Sequence, residues 1–212
     1  MEEMKATGRV ALLVDVVSSR IGDRRALHRS LLAAAEVTNA RWPGEQALHP
    51  TVADEMQGVY PTLGAALGAA FTLRLSLLPG RDVRCGLGGG EVTVIDRERD
   101  IQDGAGWWLA REAVDWVAAQ AHRKGFASAR TAIRDGRPEA IPQADALVRL
   151  VDSRLAQLSE AALGTLAGLW AGLDNAAIAQ REGITASANS QRVLGNDLRP
   201  LVEAMAALST LP

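Results

Sequence analysis

The chain has 212 residues, 48% of them hydrophobic and 23% charged, with a formal net charge of −2. That apolar fraction can bury a core in one or two domains, which argues against intrinsic disorder, and the charge balance excludes a strongly basic nucleic-acid scaffold or a polybasic membrane binder. A single cysteine, Cys85, excludes an internal disulfide framework and a multi-cysteine zinc site. Residues 1–8 are polar and lack a signal-peptide hydrophobic region. Arg9 to Val17 is a β-branched apolar run that predicts a strand buried on both faces, interrupted near its C-terminal end by Asp15. Asp23 caps a predicted helix to about Arg41, with Leu27, Leu31, Leu32, Ala35 and Val37 at helical spacing and Pro43-Gly44 beyond it. Ala47 to Ala53 and Met56 to Tyr60, separated by Asp54-Glu55, read as a β-hairpin with an acidic tip.

Pro61 to Leu78 is Ala- and Leu-rich, opens on a proline and ends at Pro79-Gly80, which predicts a helix. Its apolar stretch, Thr62 to Leu73, is about 12 residues, short of the roughly 20 that span a bilayer. The expectation is a soluble, cytoplasmic protein with no membrane contact. Asp82 to Leu87 and Glu91 to Ile95 read as two strands of a second hairpin joined by Gly88-Gly89-Gly90, and Trp107 to Gln120 reads as a helix. The order β-α-β-β-α-β-β-α predicts an α+β, ferredoxin-like (split βαβ) domain. Arg134 to Gln143 is polar and turn-rich, so the boundary is placed between 1–138 and 139–212. The second part reads as all helix. Ala144 to Leu158 connects, Ser159 caps a helix to Ala171, and Asn175 to Arg181 and a helix capped by Thr185 flank the turn Glu182-Gly183-Ile184. Two helices about such a glycine turn are a helix-turn-helix signature.

A carboxylate at Asp15 in a buried strand is costly unless it is paired or binds a cation. In a split βαβ sheet the first strand lies beside the acidic hairpin, so Asp15 and Asp54 can converge on Mg²⁺ or Mn²⁺ carrying substrate phosphates. Ser18, Ser19 and Arg20, with Arg24 and Arg25, surround a helix start suited to a triphosphate. The plainer alternative is a satisfied buried aspartate and an ordinary acidic turn.

Val10 to Arg20, Ala53 to Gly58, Asp103 to Ala113 and the trailing helix-turn-helix together resemble the SatD family, over most of the chain. Val83 to Val92, with Arg84 and spaced glycines, is similar to the hairpin of class III nucleotidyl cyclases. Asp15 and Asp54 match that family's two metal aspartates, and Asp54-Glu55 also resembles the acidic turn of GGDEF domains. Arg111 falls where the cyclase helix places its transition-state arginine. The resemblance implies a nucleoside triphosphate bound through a divalent metal, with Arg20, Arg84 and Arg111 toward the phosphates, in a homodimer. Two departures weigh against fast turnover: Trp107 stands where cyclases have an asparagine, and Pro50 where they usually have a base-reading lysine.

Trp107-Trp108 allows core or interface packing by one ring and base stacking by the other. Cys85 reads as a small core residue. His28, His49 and His122 show no metal-ligand spacing. In the last helices Ser187, Asn189, Ser190, Gln191 and Arg192 are of the types that read base edges and grip phosphates. Against DNA stand only three basic residues beyond Ser159 (Arg181, Arg192, Arg199) facing five acidic ones (Glu160, Asp174, Glu182, Asp197, Glu203). The sequence therefore predicts a nucleotide-sensing, DNA-binding regulator. The alternatives are a metal-dependent nucleotidyl cyclase or related transferase, and an interaction adaptor with a vestigial site.

Overall fold

A computed structural model describes residues 6–17, 23–51, 54–96, 99 and 101–212. In chain order the elements are β1 (Ala6–Val16), α1 (Arg24–Arg41), β2 (Gln46–Pro50), β3 (Glu55–Tyr60), α2 (Leu63–Leu77), β4 (Val83–Asp96), β5 (Ile101–Asp103) and α3 (Ala105–Gln120). Then follow β6 (Thr131–Asp135), α4 (Gln143–Leu155), α5 (Glu160–Trp170), α6 (Asn175–Arg181), α7 (Ala186–Gly195) and α8 (Leu198–Leu208). The fold is mixed α+β. The strands form one sheet in the order β2-β3-β1-β4-β5, antiparallel throughout, and β6 adds to β4 in parallel.

Strand alternation divides this sheet into two apolar faces. Val10, Leu12, Val14 and Val16 pack beneath α1, α2 and the later helices, whereas Ala11 and Leu13 meet Ala110 and Val114 of α3. β1 is therefore buried on both faces, as its unbroken apolar run requires. The caps read from sequence also hold: the Asp23 carboxylate accepts from the amides of Arg25 and Ala26, and the Ser159 and Thr185 side chains each accept from the third residue on. Asp174 caps α6 in the same way, a role not read from the sequence.

Several expectations change. Gly88-Gly89-Gly90 is no turn, because β4 runs through it as a single strand and the reversal comes later, before β5. Alternate glycines of this strand, Gly86, Gly88 and Gly90, make room for α3, while Gly89 lies against Asp135. A Cβ on Gly86 would strike the Ala110 carbonyl, and one on Gly88 the Gly106 carbonyl and the Ala110 amide. Without side chains at those positions, the helix lies directly against the strand. On α1 the buried stripe is Leu27, Leu31, Ala34, Ala35 and Thr38, leaving Leu32 and Val37 exposed. β2 ends at Pro50, short of Ala53. β5 and β6 carry no strong pattern of their own and escape sequence reading.

The helices beyond residue 142 do not stand apart. Val148, Val151, Leu155, Leu166, Trp170, Leu201 and Met205 belong to the same hydrophobic cluster as the lower face of β1. A buried ionic knot reinforces the joint. Arg74 of α2 donates to Asp152 of α4 at 2.6 Å and to Asp82 at 2.8 Å, Arg130 reaches Asp82 at 2.7 Å, and Asp152 accepts the amides of Arg130 and Thr131. The polar stretch Arg134 to Gln143 is no free linker either. Arg137 is 5% exposed, forks onto Asp135 and donates to the carbonyl of Pro212 at 3.0 Å. That tail caps α2, whose Leu63 and Gly64 amides donate to the Pro212 and Leu211 carbonyls.

Candidate functional site

Three strands end in one charged row on the face that α3 covers. Asp15 on β1 pairs across the ladder with Glu55 of β3 on one side and Arg84 of β4 on the other. Directly opposed residues point the same way, so all three side chains share that face. Arg84 Nη1 donates to Asp15 Oδ2 at 2.7 Å. Arg111, from the outer side of α3, donates through Nη2 to both oxygens of Glu55, at 2.9 and 2.8 Å. Two carboxylates and two guanidiniums from four elements thus neutralise one another. With side-chain exposures of 20–47% the pairs stay in contact with water, and each is worth no more than about 1 kcal/mol. Such pairs exchange partners at little cost.

The structure brings together Asp15, Arg84 and Arg111 of the residues singled out in the sequence. Asp54 lies one residue before β3, in the turn, half-buried. Glu55, not Asp54, is the residue opposite Asp15, a distinction that rests on ladder register and not on composition. Ser18, Ser19 and Arg20 lie outside the described residues. Among the described residues no group of three or more His, Cys, Asp or Glu side chains is arranged to hold a metal ion. The donor set therefore does not fit a cation caged by protein alone. Asp15 and Glu55 offer two carboxylates on one face, the number from which a protein holds Mg²⁺ when other ligands come from water or a bound molecule.

Nearby groups are polar anchors or core. Trp107 packs against the apolar cluster that the sheet shares with α3, which includes Leu13 and Val59, and donates to Gln102 Oε1 at 3.3 Å. Trp108 points out, 66% exposed, with its Nε1 donating to Asp103 Oδ1 at 2.9 Å. Gln46 of β2, paired across the ladder with Val59 of β3, holds both side-chain amide atoms buried without a hydrogen-bond partner among the described residues. Cys85 lies on the opposite face, fully buried, where desolvation pushes its thiol well up from the ordinary range. It is core, as its place in the strand suggests.

The residues proposed for DNA do not form one surface. Asn189 is 0% exposed, accepting from Thr165 Oγ1 at 2.9 Å and donating to Asn175 Oδ1 at 2.8 Å. Arg192 is drawn inward onto the Ala161 carbonyl at 3.0 Å and Thr165 Oγ1 at 3.2 Å, with Glu182 3.6 Å away. Ser190 is half-buried in a cavity that also takes in Asp174 and Arg199. Ser187 and Gln191 are exposed. Elsewhere an apolar groove of about 400 Å³ runs between α4 and α8, walled by Leu147 and Leu150 opposite Ala204 and Ala207.

No family model matches the chain, and no curated protein matches it. Among solved structures it is similar to guanylyl cyclase domains of the RhoGC fusion protein from the aquatic fungus Blastocladiella emersonii. One, a double mutant in monomeric form, is 18% identical over 52% of this chain and 75% of that one, with a TM-score of 0.43. The other, also monomeric, is 18% identical over 52% of this chain and 77% of that one, with a TM-score of 0.40.

Proposed function

We propose that the chain binds a nucleoside triphosphate or related nucleotide, with a divalent cation, at the Asp15–Glu55–Arg84–Arg111 row. The observation that carries this reading is the row itself. Four charged side chains from β1, β3, β4 and α3 converge at one sheet end, in partial contact with water and, among the described residues, paired with each other. Phosphate oxygens compete for the two arginine forks, and Mg²⁺ or Mn²⁺ for Asp15 and Glu55, with Asp54 close by in sequence. When bound, the cation would neutralise phosphate charge. The arginines fix the phosphates, and the strand ladder fixes the carboxylates. The strand order β2-β3-β1-β4 is that of a ferredoxin-like split βαβ arrangement, which supports the cyclase-type expectation. Trp107 supports binding over turnover, because the helix position that is an asparagine in cyclases here carries an indole packed against the apolar cluster shared with the sheet.

The test is thermal stability with each nucleoside triphosphate, with and without Mg²⁺, on wild type and Asp15→Ala. A ligand at 100 times its dissociation constant adds about 2.7 kcal/mol. The reading requires a cation-dependent rise that Asp15→Ala abolishes. Equal melting in every condition sinks it. Turnover of the same nucleotides under Mn²⁺ separates an enzyme from a sensor.

A regulatory role through DNA is a second reading, favoured by one observation: α6 and α7 flank the four residues Glu182 to Thr185 as a helix-turn-helix would. Only Ser187 and Gln191 would then face bases. Anisotropy of a labelled duplex against salt concentration decides it, since phosphate contact gives a steep salt slope. No binding, or a flat response, excludes DNA as a partner, and no change in Ser187→Ala/Gln191→Ala removes these two residues from the contact.

A further inference from the structure

We propose that Trp108 is the platform on which the base of the bound nucleotide stacks, placing the ligand along the outer edge of α3. The inference rests on the nucleotide reading of the charged row and adds where the base lies. Tryptophan carries the largest apolar surface of any side chain and is seldom left in water, yet this one is 66% exposed. It is also tethered. Its Nε1 is fixed to Asp103 Oδ1 at 2.9 Å, and Asp103 in turn accepts the Gly104 amide at 2.8 Å, at the entry to the helix. The polar edge of the indole is thus satisfied while the rest of it meets solvent. A ring held this way loses little side-chain freedom when a ligand lands on it.

Position supplies the second half of the case. Residues three apart on a helix are neighbours, with Cβ atoms roughly 5–6 Å apart, so Trp108 and Arg111 share one ridge of α3. Arg111 is the residue that reaches Glu55 in the charged row. Glu112, the next along, is turned away to Arg134 at 3.1 Å. A ligand gripped by Arg111 through its phosphates can therefore lay a flat, uncharged group back along the helix onto the indole. Every nucleobase has such a face, and stacking on an aromatic side chain tolerates all of them. Discrimination between bases is then weak at Trp108 itself.

The experiment compares a nucleoside triphosphate with inorganic tripolyphosphate, both with Mg²⁺, on the full chain, by calorimetry and by acrylamide quenching of tryptophan fluorescence. Of the five tryptophans Trp108 alone is exposed, the others being half-buried or buried, so quenching reads mainly that ring. The nucleotide should bind and shield it, whereas tripolyphosphate should bind without shielding. Trp108→Ala should weaken the nucleotide about tenfold or more and leave tripolyphosphate unchanged, and Trp108→Phe should keep most of the affinity. Undiminished nucleotide affinity in Trp108→Ala, with tripolyphosphate still bound, overturns the stacking role and leaves the phosphate site standing. Failure of both ligands to bind wild type removes the site and the stacking together.

Discussion

At Gly88 a methyl group has nowhere to go, since the Gly106 carbonyl and the Ala110 amide of α3 occupy the space and neither is a side chain that can swing aside. Gly88→Ala is expected to cost about 1–3 kcal/mol, read as a lower urea midpoint at unchanged slope. Gln46 stands at the opposite extreme. Its buried amide finds no partner, so Gln46→Leu should stabilise the fold, by about 1–2 kcal/mol in the same titration. A lower midpoint there means that the amide is bonded in solution. Single residues were legible in the sequence when their chemistry clashed with their surroundings. Asp15, a carboxylate inside an apolar run, announced itself. Glu55 did not, because choosing it over Asp54 takes the β1–β3 register. Asn189 misled for a related reason: a polar residue in the first turns of a helix reads as exposed until Thr165, 24 positions earlier, is known to lie against it.

Elements were legible where periodicity and caps agreed, as in α1 and α5, or where an Ala- and Leu-rich run lay between prolines, as in α2, and illegible where a strand was short or its glycines served a neighbour. β4 is the instructive case, for two of the three glycines that suggest a turn, Gly88 and Gly90, instead seat a helix. The joint between α2, α4 and the sheet was hidden altogether, because Arg74 and Asp152 lie 78 positions apart. Asp152→Ala leaves the 4%-exposed Arg74 with half its counter-charge and strips two amides of their acceptor. The expected loss is about 3 kcal/mol, measurable by chemical denaturation. Asp82 gives this joint a pH signature. Burial pushes its carboxyl up, but Arg74 and Arg130 more than offset that and hold it below the ordinary 3.8. The folded state therefore binds this proton less readily than the unfolded chain does. Its contribution is complete above that ordinary value and drains away as the pH falls through the folded pKa. Stability against pH should fall less steeply on the acid side in Asp82→Asn than in wild type.

For the molecule as a whole, the boundary near residue 138 marks a change in secondary structure that the sequence displays openly. What it does not display is the sharing of one hydrophobic cluster by β1 and the helices after residue 142. The shared core predicts a single cooperative transition, with far-ultraviolet and tryptophan signals melting together; two separated transitions would mean that the parts hold together independently. The tail adds a consequence in time. The first-turn amides of α2 are capped by carbonyls of residues 211 and 212, and Arg137 closes over the same carbonyl of Pro212. During synthesis α2 leaves the ribosome long before those residues do. Until they arrive, a helix destined for the centre of the core has open donors at its start, and the nascent chain waits in a partly assembled state that chaperones can recognise.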